Sequence, residues 1–381
     1  MIDRDPRRGL FPEKTIIRTD YSTKGWKKWL TTAPPYDRVS ALNDLERDYK
    51  KWQRRINIAA LVPILIRNLD CKYYVFQDDK AIANYSARIL EKYGFDKIRR
   101  KDKNKIKVNA LLTLGDDKDI NKVLNMGYRV FPLMRKLMDK PLTEYGATKA
   151  FHVAAERGRD ISIAVRHFVK MVKSDETNRH GQEVAASTLT FYHLGKGKVR
   201  KVMNLYKNGS IGIRKGVAYA LITAAKRGKN ISFAVPVFTD ISTKFEKGEV
   251  YYRHQVDPVD LFLYHYINKK EHDKLEKLIE QEGGIEFVTE RIEEFEKHLD
   301  ADRFDVVQKA VESLYRRWLR KQPQGVSEEK IDMQIRFSEL MMELSKRKAE
   351  LSKKDGLLLG ETVKKPKKSD KKIYRVRKAF N

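Results

Sequence analysis

A chain that repeats itself must stack like units on one another, so internal similarity constrains this sequence more than any other feature. Ala154 to Phe168 lies over Ala224 to Phe238 at an offset of 70 residues. The shared frame is Ala-Ala-x-Arg-Gly-x-x-Ile-Ser-x-Ala-Val-x-x-Phe, with nine of fifteen positions identical. Half that offset also registers: Gly146, Gly181 and Gly216 align, as do Ala150, Ala185 and Ala220, and Arg179 aligns with Arg214. A looser copy lies upstream. Asn57-Ile58 through Val62-Pro63 matches Asn230-Ile231 through Val235-Pro236, and Tyr128 to Met134 reads as the same helix again.

Each unit reads as two helices. Apolar and small residues recur at three- and four-residue spacing over Lys149 to Ala155 and over Tyr219 to Ala225. Arg157-Gly158 and Arg227-Gly228 follow, where glycine ends a helix in the left-handed conformation. Asp160 or Asn230 then stands at an N-cap position. A second amphipathic helix is expected over Ile161 to Lys173 and over Ile231 to Thr243. Glycine and alanine four residues apart leave a flat stripe on the first helix, which lets a neighbouring helix approach closely.

This pattern resembles the HEAT family, in its short bacterial and archaeal form. The residues that carry the resemblance are Ile211-Gly-Ile213-Arg214-Lys-Gly-Val217-Ala218-Tyr-Ala220-Leu221, then Gly-Lys-Asn-Ile-Ser-Phe-Ala-Val-Pro ending at Pro236. The likeness is specific from Lys107 to Lys244. It departs from the family where Arg166 replaces the proline and where Gly195-Lys196-Gly197 shortens one unit. The resemblance implies an all-α fold: an α-solenoid of stacked helical hairpins with units of about 35 to 40 residues. It also implies a binding scaffold without chemistry of its own, whose second helices line a concave surface.

The expected boundaries follow from composition shifts. Residues 1–38 hold Pro6, Pro12, Pro34 and Pro35 beside Trp26 and Trp29, and read as an irregular basic arm with a short helix. The repeat array is expected over 39–255, and its acidic helical extension over 256–322. Gln322-Pro-Gln-Gly325 reads as a break. A long helix is expected over 326–354, with Ser327 as its N-cap and Glu328 and Glu329 in its first turn. A basic, disordered tail is expected over 355–381. The longest apolar stretch, Ile58 to Ile66, falls well short of the ~20 residues of a membrane helix. The N-terminus has no signal-peptide core. The expectation is a soluble intracellular protein, cytoplasmic, or nuclear in a eukaryote, with no membrane partner.

The sequence holds few signs of catalysis. Its eight histidines are His152, His167, His180, His193, His254, His265, His272 and His298, and none forms His-x-x-x-His or His-Glu-x-x-His. No phosphate-binding glycine loop and no Gly-x-Ser-x-Gly elbow occurs. Cys71 is the single cysteine and reads as a buried small residue. No metal, cofactor or small-molecule substrate is expected. A HEAT-like DNA glycosylase is the lesser, enzymatic alternative. It rests on basic character, while Trp26, Trp29, Trp52 and Trp318 all fall outside the clear repeats.

Charge points to a partner. The net charge is +28, from 80 Lys and Arg against 52 Asp and Glu. Lys97 to Lys229 holds 30 basic and 11 acidic residues, a net of +19, whereas Glu271 to Asp302 holds 4 and 12, a net of −8. Three basic features are candidate polyanion sites. On the second helices, Pro63, Pro132, Arg166 and Pro236 are taken as equivalent, which places Arg67, Lys136, Lys170 and Asp240 one turn later. Arg166, Lys170 and Lys173 share one helical face. In the turns within units, Arg157, Arg159, Lys196, Lys198, Lys226, Arg227 and Lys229 are expected to form an edge. The tail contributes Lys364, Lys365, Lys367 and Lys368. Lys and Arg contacts to the phosphate backbone carry most non-specific nucleic-acid affinity, so nucleic acid or a nucleoprotein is the expected partner. An acidic protein surface, bound by a protein–protein adaptor scaffold, is the alternative.

Overall fold

A computed structural model of the chain describes residues 22–52, 56–69, 77–239, 258–321 and 328–362. The regular structure among these residues is all helical, with no strand among them. They fall into two compact units, Met1–Glu176 and Thr177–Asn381.

The first unit contains α1 (Thr23–Thr32), α2 (Pro35–Trp52), α3 (Ile58–Leu69), α4 (Gln77–Ile89), α5 (Arg100–Leu114), α6 (Asp117–Asn125), α7 (Phe131–Leu137), α8 (Pro141–Glu156) and α9 (Val165–Lys173). Residues 22–38 are more ordered than an irregular arm. Ser22 caps α1 by accepting from the Gly25 amide at 3.2 Å, and α2 starts at Pro35, whose missing N–H costs nothing in a first turn. Trp26 and Leu30 are buried with Leu42, Leu45, Leu61 and Leu65 in one core. That burial is what orders α1. Residues 1–21 and Cys71 lie outside the described residues.

The second unit contains α10 (Arg179–Gly195), α11 (Val199–Asn208), α12 (Ile211–Lys226), α13 (Pro258–Lys269), α14 (His272–Gln281), α15 (Ile285–His298), α16 (Ala301–Lys321) and α17 (Glu328–Thr362). Residues 235–239 are also helical. The helix expected to end at 354 continues to Thr362. No proline interrupts it before Pro366, and Leu357 to Leu359 are strong helix formers. The segment 322–325, Ser327, His254 and Asp240 lie outside the described residues.

Three hairpin turns are built alike. Gly158, Gly197 and Gly228 have φ of 73°, 66° and 75°, the left-handed conformation that glycine adopts without a Cβ penalty. Each closes a Schellman motif. The Gly158 amide donates to Ala155 and the Arg159 amide to Ala154, both at 2.9 Å; Gly197 and Lys198 repeat this on Leu194 and His193, and Gly228 and Lys229 on Ala225 and Ala224. The residue that opens the next segment is also shared. Asp160 and Asn230 accept from the amides of Ser162 and Ser232 at 2.9 and 3.1 Å, and Asn57 accepts from Ala59 at 3.1 Å. Ile58, Ile161 and Ile231 are buried beside them.

These turns correct the 35-residue register. The three glycines are 39 and 31 residues apart, which restores the 70-residue period but not its half. Counting twelve residues back from the turn gives Gly146, Ala185 and Gly216, so Gly181 is not their equivalent. Gly181 is the third residue of α10, whereas Gly146 and Gly216 are each the sixth of α8 and α12. A four-residue slip rotates a helix by only about 40°, so both registers keep the same face aligned. The sequence therefore shows a match at either.

The glycine stripe does bring helices together. A Cβ on Gly146 would stand 2.8 Å from the carbonyl carbon of Leu112 in α5. On Gly216 it would stand 2.9 Å from the carbonyl carbon of Glu183, and on Gly212 2.7 Å from the carbonyl oxygen of Arg179, both in α10. Positions 212 and 216 meet 179 and 183 in the same order, so α10 and α12 run in the same direction.

Candidate nucleic-acid interface

In the first unit the basic surface is formed by α7 and α9. Each is entered through one turn of 3-10 helix, Tyr128–Val130 and Ser162–Ala164. Their apolar sides meet α8 through a chain of edge-on rings: Phe131 to Phe151 at 5.4 Å, and Phe151 to Phe168 at 6.5 Å. Burying that side turns the opposite one to solvent, and Lys136, Arg166, Lys170 and Lys173 are all exposed there. None of the four has an ion-pair partner among the described residues.

One carboxylate lies between the two helices. Asp139, just after α7, takes Arg135 at 2.8 Å and the His167 Nδ1 at 3.6 Å. Burial, and then the neighbouring Arg135, hold the His167 imidazole below its ordinary range; Asp139 opposes them and Lys170 adds to them. His167 is thus neutral near pH 7, not a fifth cation.

Arg67 is exposed in the last turn of α3, but its assumed equivalence to Lys136 does not hold locally. Pro63 is the sixth residue of a continuous helix, whereas Pro132 and Arg166 are the second residues of α7 and α9.

The turn residues divide. Arg157 is exposed and donates to Asn121 at 2.6 Å. Arg159 is half-buried, and its guanidinium donates to the Leu124 carbonyl at 2.7 Å, satisfying the C-terminal turn of α6. Lys226 is also withdrawn from the surface. It pairs with Glu294, lies 3.8 Å from Asp260 and sits 5.4 Å above the buried Tyr264 ring. Arg159 and Lys226 therefore hold helices together. Lys196, Lys198, Arg227 and Lys229 are exposed. Lys364, Lys365, Lys367 and Lys368 lie outside the described residues.

Sequence reasoning missed α11. Its buried side holds Val202 and Tyr206, and Arg200, Lys201 and Lys207 are exposed with no ion-pair partner among the described residues. The signal was present: Arg200, Asn204 and Lys207 repeat the spacing of Arg166, Lys170 and Lys173.

Much of the acidic block is paired within its own unit. Arg317 meets Glu276 at 2.6 Å and Glu280 at 3.1 Å, Arg336 meets Glu286 at 2.7 Å, and Arg347 pairs with Glu296. Among the described residues no group of three or more His, Cys, Asp or Glu is placed to hold a metal ion, and no helix is long and apolar enough to cross a membrane. A scan against protein-family models finds no match, and a search of curated proteins finds no significant one.

Proposed function

We propose that this chain is a HEAT-like helical-repeat scaffold that binds nucleic acid, or a nucleoprotein, through the phosphate backbone and with little sequence preference. The observation that carries this reading is the pair of basic helical surfaces, on α7 with α9 and on α11, whose exposed Lys136, Arg166, Lys170, Lys173, Arg200, Lys201 and Lys207 make no ion pair among the described residues. Surfaces that serve solubility alone mix both signs, and ion pairs then absorb much of the charge. The α14–α17 region of this same chain does that; the seven exposed cations named on α7, α9 and α11 do not. The repeat assignment is supported by the three matching turns and by the parallel approach of α10 and α12.

A gel-shift titration tests the proposal, with duplex DNA and with single-stranded RNA, at low and at moderate salt. Charge reversal of Lys136, Lys170 and Lys173 to Glu should remove about three phosphate contacts and flatten the slope of log K against log salt by about 3. The Arg200, Lys201 and Lys207 reversal should do the same. The loss should shrink as salt rises. The absence of a shift with either nucleic acid at low salt, from folded protein, would refute the reading and favour a protein adaptor scaffold.

A further inference from the structure

The long helix α17 carries two apolar seams, and only one is used. Phe337, Leu340, Leu344 and Leu351 form the first; Phe337 stacks on Tyr315 of α16 at 3.7 Å, and the three leucines are buried. The second consists of Ile331, Ile335, Ser338, Met342, Ser345 and Ala349, and all six are exposed. Their spacing is four, three, four, three and four residues, the alternation of a coiled-coil seam. Ile331, Ile335 and Met342 are 44%, 53% and 66% exposed, which is unusual for large apolar side chains set on one stripe.

We infer that this seam is the pairing surface for a second copy of the chain, with the two α17 helices antiparallel. The order of residue sizes selects both the occupant and the direction. An antiparallel pair centred on position 340 sets Ile331 against Ala349 of the partner subunit, Ile335 against Ser345 of the partner subunit, and Ser338 against Met342 of the partner subunit. Every layer then joins a large residue to a small one, and the helix separation stays even. A parallel pair would stack isoleucine on isoleucine and serine on serine, alternating wide and narrow layers. Charge agrees with the antiparallel direction. It brings Asp332 opposite Lys346 of the partner subunit, and both are exposed. The polar members do not oppose burial, because the Ser338 hydroxyl already donates to the Gln334 carbonyl at 2.8 Å and Ser345 lies 3.4 Å from the Gln308 amide. One element works against the pair. Glu339, exposed at the edge of the seam, faces its own copy across the two-fold axis.

The full chain, followed by sedimentation equilibrium, is expected to dimerise with a dissociation constant on the order of 10 to 100 µM, as suits three large apolar residues per copy. Ile335→Glu with Met342→Glu should weaken this at least tenfold while the circular dichroism stays helical, since both positions are on the surface. Glu339→Gln should tighten it several-fold, which a parallel pair would not reproduce. Direction is read by crosslinking in a Cys71→Ser background, which removes the only cysteine. Ile331→Cys protein mixed with Ala349→Cys protein should give a disulfide-linked pair, and neither alone should. A chain that stays monomeric throughout the range, a double glutamate variant that still dimerises, or self-crosslinking of either cysteine variant would overturn the inference.

Discussion

Replacing Gly216 by Ala separates two opposed effects at one position. In an exposed helix interior the change stabilises by about 1 kcal/mol, because glycine has more backbone entropy to lose. Here the added methyl carbon would stand 2.9 Å from the Glu183 carbonyl carbon, 3.0 Å from the Ser187 amide nitrogen and closer still to the Glu183 carbonyl oxygen. Carbon contacts are comfortable at about 3.5–4.0 Å, so α12 would have to retreat from α10 by roughly 1 Å. The obstacle is helical backbone, which has no rotamer to turn away. Overpacking of this kind costs about 1–3 kcal/mol and at times more, and the rigid obstacle puts this site at the upper end. The net expectation is a destabilisation of about 2 kcal/mol, or roughly 4–8 °C in Tm for a unit of this size.

Gly195→Ala is the matched control. Gly195 is the last residue of α10, and a Cβ there would meet nothing within 4 Å. The control should be neutral or slightly stabilising, and Gly146→Ala in the first unit should behave like Gly216→Ala. Urea and thermal unfolding followed by circular dichroism would measure all three. A Gly216→Ala protein as stable as the Gly195→Ala protein would refute the argument that the glycine stripe exists for close helix approach.

Lys226→Met should destabilise the second unit by about 1–3 kcal/mol, because Glu294 loses its counter-charge beside the buried Tyr264. It should leave any gel shift unchanged, and a weakened shift at full foldedness would restore Lys226 to the interface. His152, His167, His193, His265 and His298 are all held below the ordinary histidine range, by burial in the first place. The unfolded chain therefore takes up protons on these residues first as pH falls below about 6.5, and stability should drop between pH 7 and 5. A flat urea midpoint over that window would show that the five rings are not kept neutral by the fold.

The local grammar of the hairpins was legible in the sequence, because backbone demands leave residue-specific marks. Gly158 and Gly228 mark left-handed turns, and Asp160 and Asn230 mark the caps that follow. The 35-residue register misled because helical faces tolerate a slip of one turn. A match in glycine and alanine fixes a face but not a height along the axis, and only the positive-φ glycine fixes both. Similarly, Arg159 and Lys226 looked like surface cations because a charge in a turn has no signature for its partner. The Leu124 carbonyl lies 35 residues away and Glu294 lies 68 away. Pairings at such distances depend on packing, which no local pattern encodes.

That division of the charges bears on how a salt titration is to be read. The −8 of the acidic block is partly offset by Arg317 of α16 and by Arg336 and Arg347 of α17, and the pairs of the last two contribute to holding α17 in place. Exposed ion pairs are worth about 0–1 kcal/mol each and are only partly screened by moderate salt, so the unit should stay folded as ionic strength rises. Phosphate contacts respond differently, since each neutralised phosphate releases counterion and several contacts multiply. A steep fall in affinity with unchanged circular dichroism would therefore come from α7, α9 and α11, and not from loosening of the acidic half. Charge reversal on α7 and α9 should flatten that fall without moving Tm, whereas reversal of Arg336 or Arg347 should move Tm without flattening it.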